Sequence, residues 1–287
     1  MTDPLDKFAA FILTHGRPDR VQTYKSLRRH GYRGKIYLIL DDEDPSVDEY
    51  RKTFGEDRVI VFDKEQAALT TDTLDSVQER RGVVFARNAS FHIAEQLGLD
   101  YFIQLDDDYR TFDYRFVKNG KLRGKGIKSL DQVFAAMIDF LEDSGAVTVA
   151  LSQGGDHIGG MNGSNYYKGL MRKAMNSFVF RTDTPVEFLG RINEDVNAYV
   201  LAGSRGDLFF TITDLQLTQT PTQTNEGGLT EIYLDSGTYV KSFYTVMIHP
   251  SSVTIGTMGN IHRRYHHMVS WDHTVPKIIS GRYRQPS

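Results

Sequence analysis

The sequence predicts an α/β protein with a mainly parallel central sheet covered by helices. Apolar runs typical of buried strands alternate with helix-like segments through the first third of the chain, and this alternation favours parallel strands joined by crossover helices. Polar clusters follow directly after the strand ends, where α/β sheets bind ligands. With 287 residues, 40% hydrophobic and 25% charged, the chain has the composition of a globular protein with a full core.

Four apolar runs are the predicted strands, and three segments between them have helical periodicity. The strands are residues 8–14, 35–40, 59–62 and 101–105. The helices are residues 21–30, 48–54 and 82–97, the last with Val83, Val84, Ala86, Ala94 and Leu97 on its apolar side. Residues 152–170 and 213–230 are rich in small polar residues. They predict loops, which either lie plainly on the surface or cover a site.

The absence of cysteine excludes disulfide scaffolds, thiolate metal sites and cysteine nucleophiles. Any metal must therefore be held by Asp, Glu, His or water. No apolar run approaches about 18 residues, and the N-terminal MTDPLDKFAA carries early acids. We therefore expect no membrane span, no secretory signal and a cytoplasmic location. The first strand is not followed by GxGxxG, and neither GxxxxGKS nor GxxxxGKT occurs, which disfavours an ordinary dinucleotide fold and a P-loop nucleotidase.

Two stretches carry basic residues with almost no acids, although the whole chain carries a net charge of −3. The first stretch holds Lys118, Lys121, Arg123, Lys125 and Lys128 without an intervening acid. The second stretch, residues 241–287, holds a single acid and includes Arg263 and Arg264. Each stretch is either a solvated surface or an anion-binding face for a nucleotide or a phosphate backbone.

Polar clusters end the first, second and fourth predicted strands. They are residues 14–17, 41–44 and 106–108. Because the carboxyl ends of parallel strands lie at one edge of a sheet, we expect the three clusters to share one site. In the first cluster, Arg17 is expected to contact phosphate.

The acidic triplet Asp106-Asp107-Asp108 is the strongest single indication of chemistry. Three adjacent carboxylates repel one another, so they need either a cation or wide solvation. One interpretation is a solvated turn. The other is a site for Mg²⁺ or Mn²⁺, which proteins commonly hold with one or two carboxylates plus substrate phosphates. In an extended segment Asp106 and Asp108 share one side, so these two are the predicted metal pair.

This strand-DxD pattern resembles that of nucleotide-sugar glycosyltransferases with the GT-A fold. Leu40-Asp41-Asp42 resembles the acidic position that reads the base in such enzymes, and Ala86-Arg87-Asn88 opens the helix before the DxD strand, as in many of them. Residues 190–195 (GRINED) resemble the acidic pair that supplies the catalytic base of inverting members. A histidine near the C-terminus often completes the metal shell in these enzymes.

In combination the motifs resemble the TET/JBP-associated glycosyltransferase family, which is found mainly in tailed bacteriophages. The motifs are residues 14–18, 41–45, 86–88, 106–109, 237–244 and 263–267, followed by Trp271. The similarity spans nearly the whole chain. It implies one GT-A-like domain over residues 1–287, with a nucleotide-sugar half (1–110) and a mixed acceptor half (111–287) that contains the base and the C-terminal basic, histidine-containing segment.

The resemblance implies roles for individual side chains. The nucleotide-sugar would be bound by Thr14, His15, Arg17, Asp41, Asp42, Arg87, Asp106 and Asp107. The divalent cation would be held by Asp108, by Asp106 and by one of His262, His266 and His267. The catalytic base would be Asp195 or, as a second choice, Glu194; a helix-capping role for Asp195 is the structural alternative. DNA would be contacted by Lys118, Lys121, Arg123, Lys125, Arg263 and Arg264.

The implied reaction is metal-dependent transfer of a sugar from a nucleotide-sugar, with UDP-sugar as the first expectation, to a hydroxymethylated pyrimidine in DNA. We expect 5-hydroxymethylcytosine as the first acceptor, inversion at the anomeric carbon and, for a phage-encoded enzyme, the cytoplasm of the bacterial host. The expected partners are DNA and the nucleotide-sugar, without a membrane or an obligate protein partner. Two alternatives remain: a GT-A enzyme acting on a glycan, lipid or protein, and a non-catalytic DNA-binding module that retains the fold.

Overall fold

The structure is a computed structural model that describes residues 3–74, 80–163, 165–219, 230–258 and 264–276, with only the backbone of residues 230–238. The strands are β1 (Phe8–Leu13), β2 (Lys35–Asp41), β3 (Val59–Phe62), β4 (Tyr101–Asp106), β5 (Tyr109–Lys118), β6 (Lys121–Gly126), β7 (Thr148–Ser152), β8 (Leu170–Met171), β9 (Ser177–Arg181), β10 (Phe209–Gln219), β11 (Val253–Met258) and β12 (Arg264–Val269). The helices are α1 (Gln22–Arg29), α2 (Val47–Phe54), α3 (Lys64–Thr70), α4 (Val84–Gln96), α5 (Leu130–Ser144), α6 (Glu194–Arg205) and α7 (Thr230–Ile248).

The central sheet of the described residues has ten strands in the order β3-β2-β1-β4-β9-β7-β10-β5-β6, with β8 paired beside β10. Its first four strands are parallel, whereas β9 is antiparallel to both β4 and β7. The α/β class and the parallel arrangement of the first four strands are therefore confirmed. The predicted strands and helices up to β4 lie within two residues of those observed, and α3 is an additional helix.

A hydrophobic core lies on each face of the sheet, because successive strand residues point to opposite faces. On one face Phe8, Ile12 and Phe134 pack among residues of α1, α2 and α5. On the other face Phe11 and Phe102 pack among residues of α4 and α6. All six β1 side chains are buried, which is the pattern of a strand covered on both sides.

The register of the parallel strands aligns their carboxyl ends. Leu13 of β1 pairs with Asp106 of β4 and with Ile39 of β2. Thr14 therefore leaves β1 beside Asp107, at the edge where ligands bind in such sheets.

The predicted loop over residues 213–230 is wrong for residues 213–219, which belong to β10. Threonine hydroxyls in this part of β10 are satisfied by backbone carbonyls, both within the segment and just before it. Thr213 Oγ1 donates to the Gly169 carbonyl at 2.8 Å, and Thr211 Oγ1 donates to the Lys173 carbonyl at 2.7 Å. A buried polar side chain that is hydrogen-bonded costs little, so a polar strand can pass through the middle of the sheet. Residues 220–229 lie outside the described residues.

Strands β5 and β6 form a ribbon at the edge of the sheet, joined by Asn119 and Gly120, which both have positive φ as a tight hairpin turn requires. Residues directly opposite each other across the ribbon share a face. Three such pairs are Tyr114 with Lys125, Phe116 with Arg123, and Lys118 with Lys121. One face of the ribbon therefore carries all four of its predicted DNA-binding cations and two aromatic rings.

The second sheet is the antiparallel pair β11 and β12, which contacts α7. It carries Arg264, His266 and His267, whereas His262 and Arg263 lie outside the described residues. Within the part of the chain that the structure describes, no helix has both the length and the apolar composition needed to cross a membrane.

Candidate active site

The β1 and β4 ends are locked together through Asp107. Thr14 Oγ1 donates to Asp107 Oδ2 at 2.6 Å, and Arg17 Nε lies 2.9 Å from the same oxygen. Tyr50 of α2 completes the arrangement, since its hydroxyl accepts from the Arg17 backbone N–H at 2.9 Å and lies 2.9 Å from Thr14 Oγ1. Asp107 is only 3% exposed. Its carboxylate thus holds the loop after β1 in place rather than pointing into open solvent.

A second group of charged side chains surrounds Asp41 at the end of β2. His15 Nδ1 lies 2.9 Å from Asp41 Oδ2, and Lys64 Nζ donates to Asp41 Oδ1 at 3.2 Å. Burial opposes ionisation of Asp41, but the hydrogen bond and charge of His15 hold the pKa of this carboxyl below its usual value. The hydrogen bond to Asp41 raises the pKa of His15 in return. The neighbouring Asp42 accepts from the Lys64 backbone N–H at 2.9 Å, so it fixes the start of α3.

Arg87 joins the DxD motif to the predicted catalytic pair. Its Nη2 donates to Asp106 Oδ1 at 3.1 Å, and its Nε donates to Glu194 Oε1 at 3.0 Å. The guanidinium is 1% exposed and lies over the rings of Phe178 and Phe188, 5.0 Å and 5.8 Å from their centroids. Its remaining Nη1 is buried and makes no hydrogen bond among the described residues. A buried, unsatisfied cationic donor beside the DxD motif is suited to an anionic ligand.

The neighbouring Asn88 attaches α4 to the segment before α6. Its Nδ2 donates to the Phe188 carbonyl at 3.0 Å, and its Oδ1 accepts from the Phe188 backbone N–H at 2.9 Å. Asn88 therefore positions the chain that leads into the GRINED motif, while Arg87 contacts the motif itself. The family motif contained this asparagine, but the sequence offered no physical reason for it.

Glu194 and Asp195 occupy the first turn of α6, and both are buried. The preceding Asn193 adopts the left-handed conformation with φ 54°, and its Nδ2 donates to the Lys241 carbonyl at 2.6 Å. Gly190, at φ +79°, lies so close to α6 and α7 that an added Cβ would be 2.8 Å from the Tyr244 ring. Only glycine fits this position without strain, so the acidic pair enters the helix along a fixed path.

Several carboxyls of the site are hard to ionise. Burial, followed by the charges of Asp106 and Asp107, raises the pKa of Asp108 to about 7. Burial also raises the pKa of Asp106, against the opposing effect of Arg87. For Asp195, burial and the adjacent Glu194 raise the pKa, opposed by Arg87. Raised carboxyl pKa values mark a surplus of buried negative charge, which a bound cation would relieve.

The donor chemistry at Asp106 and Asp108 fits a divalent cation. Asp106 is bound by Arg87, and Arg17 binds the adjacent Asp107. Mg²⁺ or Mn²⁺ is usually bound by one or two carboxylates together with substrate phosphates. Across the described ranges, no three His, Asp or Glu side chains come together as a complete protein-only metal site. His266 and His267 of β12 stack on each other at 4.4 Å, and burial lowers the pKa of both, for His267 to about 4. Both imidazoles are thus held neutral, which is the form that ligates metals.

Positive charge gathers on the side of α6 that faces α7 and β12. Lys241 is near enough to Asp195 to favour its ionised form. Lys241, Lys173 and Arg264 all act against protonation of His266. The predicted catalytic carboxylate therefore has a cationic neighbourhood on this side and the DxD carboxylates on the other.

The structure brings together most of the residues predicted from the sequence. Thr14, Arg17 and Asp107 form one group, and Arg87, Asp106 and Glu194 form a second, joined to the first by the peptide bond between Asp106 and Asp107. His15, Asp41 and Asp42 form a third group around Lys64. The predicted DNA-binding residues of the β5–β6 ribbon lie apart from these groups. At about 3.3 Å per residue, β5 carries Lys118 roughly 30 Å from Tyr109, which follows the DxD motif.

Sequence reasoning missed Lys64, which is 7% exposed and contacts both Asp41 and Glu43. A signal was available, because Lys64 follows the end of β3 just as the other clusters follow their strands. The rule that ligands bind beyond the carboxyl ends of strands would have included it.

The sequence of residues 8–228 matches the model of the TET-associated glycosyltransferase family. The chain belongs to this family. The TET-associated glycosyltransferase model covers β1 to β10, and so includes the DxD motif, Arg87 and the Glu194-Asp195 pair. The resemblance drawn from the sequence motifs is thereby confirmed, and the sheet described above agrees with the α/β fold that it implied.

Solved structures that match this member of the TET-associated glycosyltransferases share little sequence with it. A mycobacterial protein is 12% identical with a TM-score of 0.49, over 92% of this chain and 84% of its own. Glucosyl-3-phosphoglycerate synthase from Mycobacterium tuberculosis, solved with Mg²⁺ and uridine diphosphate, is 10% identical with a TM-score of 0.47, over 92% of this chain and 88% of its own. Among curated proteins, no sequence matches the chain.

Proposed function

We propose that this TET-associated glycosyltransferase transfers a sugar from a nucleotide-sugar, in the first instance a UDP-sugar, to the hydroxymethyl group of a modified pyrimidine in DNA. The observation that carries the proposal is the Arg87 bridge, which connects Asp106 of the DxD motif to Glu194 of the acidic pair. The donor phosphates and the acidic pair would then lie on either side of one buried guanidinium, that of Arg87. Residues 1–110 would bind the donor and residues 111–287 the acceptor.

The donor would lie along the carboxyl ends of β1, β2 and β4. The group of His15, Asp41 and Lys64 offers hydrogen-bonding side chains for a base, and Asp42 supports it through the Lys64 backbone. Arg17 and the unsatisfied Nη1 of Arg87 offer positive charge for the diphosphate. Planar guanidinium donors are well suited to phosphate oxygens.

Asp106 and Asp108 would hold Mn²⁺ or Mg²⁺, with His266, His267 or His262 as a further ligand. A divalent ion bound there would neutralise the charge that develops on the diphosphate leaving group. The two carboxyls have raised pKa values, so a cation would also remove the electrostatic cost of ionising them. The raised pKa values therefore support a metal site at Asp106 and Asp108, whichever histidine is the further ligand.

Asp195 would act as the base, with Glu194 positioned by Arg87 beside it. The acceptor hydroxymethyl oxygen attacks the anomeric carbon as Asp195 takes the hydroxyl proton. The bond from the anomeric carbon to the phosphate oxygen breaks, and its electron pair leaves with the nucleoside diphosphate. A buried carboxylate with a raised pKa is a stronger base than an ordinary aspartate, once it is ionised. Direct attack inverts the anomeric configuration.

Charge supports DNA as the acceptor. Lys173, Lys241 and Arg264 lie around His266 on the side of α6 assigned to the acceptor. The ribbon face with Lys118, Lys121, Arg123 and Lys125 adds four further cations. Phosphate contacts of both kinds would position the duplex without reading its sequence. Arg263, outside the described residues, is proposed as a further contact.

The test is a mass assay on intact nucleosides. DNA containing 5-hydroxymethylcytosine or 5-hydroxymethyluracil is incubated with the enzyme, Mn²⁺ and a set of UDP-sugars, then digested to nucleosides. We expect a mass gain of one sugar on the modified nucleoside. Asp195→Asn should reduce the rate by roughly 10²–10⁴-fold, whereas the matched change Asp48→Asn, at a 99% exposed carboxyl, should leave it unchanged.

Each other outcome has a definite meaning. Hydrolysis of the UDP-sugar without a mass gain on DNA would contradict DNA as the acceptor and favour a glycan, lipid or protein acceptor. Neither transfer nor nucleotide binding would favour a non-catalytic DNA-binding module. A product with retained anomeric configuration by NMR would contradict direct attack assisted by Asp195.

A further inference from the structure

A cavity of about 280 Å³ lies between β8 and the turn that follows β12. Its lining includes Met171 and Trp271, together with the cations Lys168, Arg172 and Lys173. The volume is near the lower end of the range of about 300–1,000 Å³ for small-ligand sites. Trp271 belongs to the family motif and Lys173 to the cations on the acceptor side, but neither has an assigned ligand, and Lys168, Met171 and Arg172 have no assigned role.

The aromatic wall of the cavity is fixed on both sides. The indole of Trp271 stacks on Tyr199 of α6, with ring centroids 5.8 Å apart and an interplanar angle of 28°. The guanidinium of Arg172 lies 5.2 Å from the Trp271 ring centroid, and its Nη2 donates to the Thr274 carbonyl at 3.2 Å. A guanidinium held over an aromatic ring in this way is a planar surface on which a nucleobase can stack.

The charges of the cavity favour an anion. Lys168 is exposed. Among the described hydrogen bonds, Arg172 uses only one of its nitrogens, Nη2, which donates to the Thr274 carbonyl. Lys173 forms an ion pair with Asp156, so this lysine is partly neutralised. The cavity therefore presents two cations that are not paired with a carboxylate among the described ion pairs, next to an aromatic ring.

Helix α6 carries both the proposed catalytic base and the tyrosine that packs on Trp271 of the cavity wall. Tyr199, which supports Trp271, follows Asp195 by little more than one helical turn. The charges of Asp195 and Asp156 add to the rise that burial causes in the pKa of Tyr199. Glu194 faces Arg87 and the donor residues, whereas Tyr199 packs on Trp271.

From this geometry we infer that the cavity binds one nucleotide of an unpaired DNA strand, with its phosphate on Lys168 and Arg172 and its base beside Trp271. The inference rests on the proposed function, since the occupied nucleotide would neighbour the hydroxymethylated one at Asp195. Enzymes that act on bases need the target nucleotide outside the duplex stack. Holding the adjacent nucleotide would keep the strand open while the sugar is transferred.

Trp271 provides a direct readout, because it is the only tryptophan in the chain. We would titrate the enzyme with a short single-stranded DNA oligonucleotide containing one 5-hydroxymethylcytosine and follow tryptophan fluorescence. The expected result is saturable quenching by the oligonucleotide. UDP alone should not quench, since residues 194 and 199 point about 140° apart around α6 and the donor contacts the former.

Two matched charge reversals test the cationic wall. Lys168→Glu should weaken oligonucleotide binding by about tenfold, because it removes a phosphate contact and adds a repulsion. Lys25→Glu makes the same change of charge at an exposed position on α1, which packs on the other face of the sheet, and should weaken binding by less than about twofold. Equal effects of the two variants would overturn the inference. Trp271→Phe, which keeps an aromatic ring, should retain binding and lose the fluorescence signal.

Parallel measurement of sugar transfer by nucleoside mass separates this inference from the proposed function. Transfer to DNA without tryptophan quenching would refute the cavity as a nucleotide site and leave the proposed function standing. Quenching that Lys168→Glu weakens, without transfer by the wild-type enzyme, would support the cavity and refute the proposed activity. Absence of both would refute both.

Discussion

Arg87 donates from Nε to Glu194 Oε1 across 3.0 Å, although 107 residues separate the two in the chain. Both side chains are buried, and the same guanidinium also binds Asp106. A buried charge is stable only while its partners are present. This ion pair therefore contributes to folding and to the geometry of the site at the same time.

Removing Arg87 should destabilise the protein. Arg87→Met leaves Glu194 buried without its partner, and we expect a loss of about 3–5 kcal/mol in the free energy of unfolding. Glu194→Gln in the same chain removes the stranded charge, so the double variant should lose less than the sum of the single losses. Urea unfolding measures all four proteins of this cycle. Additive losses would mean that the two side chains do not interact.

The pH dependence of transfer should follow Asp195. Burial and Glu194 raise the pKa of this carboxyl, and the base acts only when ionised. The rate should therefore begin to fall as pH decreases below neutrality. This fall should occur at a pH well above about 3.9, the ordinary pKa of an aspartate. Glu194→Gln removes one cause of the shift, so the limb of the profile should move to lower pH in that variant. A wild-type limb near about pH 4 would contradict Asp195 as the base.

Asp108 should reduce stability at alkaline pH in the absence of metal. Its pKa in the folded protein is raised to about 7, whereas the unfolded chain keeps an ordinary value. The unfolded state then binds fewer protons than the folded state between these values, so stability falls as pH rises from about 4 through about 7. Asp108→Asn removes this loss. The variant should have a higher Tm than wild type at about pH 8.5, and the two Tm values should be similar at about pH 4. Thermal unfolding at the two pH values checks the sign, and a lower Tm of the variant at the higher pH would contradict it.

A divalent cation should reverse that loss. Binding to the folded state alone stabilises a protein by mass action, so Mn²⁺ should raise the Tm of wild type and have a smaller effect on Asp108→Asn. The exposed control Asp48→Asn should respond like wild type. Calorimetry should also find weaker UDP binding after chelation, because the phosphates would lose the cation. Equal thermal shifts in Asp108→Asn and wild type would place the metal elsewhere.

The β5–β6 ribbon should govern the salt dependence of duplex binding. Replacing Lys118, Lys121, Arg123 and Lys125 by Gln should weaken DNA binding and lower the salt slope by about 0.9 for each phosphate contact that is lost. The affinity for UDP should remain unchanged, because β5 carries these residues away from the DxD motif. Titrations at several salt concentrations measure the slope. An unchanged slope would mean that the ribbon is only a solvated surface.

Apart from α3, the elements up to β4 were predictable because each is an apolar run or a periodic segment that can be recognised by itself. The six side chains of β1 are apolar and buried on both faces, so the run FAAFIL is unambiguous. In contrast, β10 was missed, because its threonines and glutamines resemble a loop until Gly169 and Lys173 provide hydrogen-bond partners. The strand depends on neighbours that are distant in the chain.

By itself, the sequence determined the α/β class, the polar clusters at the strand ends and the family. These follow from short-range patterns and from motifs, which can be recognised in the sequence without knowledge of the fold. Only the tertiary structure decided that Arg87 joins Asp106 to Glu194, that Lys64 contacts Asp41, and that Trp271 lines a cationic cavity. These contacts depend on the order and pairing of strands and on burial, and burial sets both the cost of an unpaired charge and the pKa of each carboxyl.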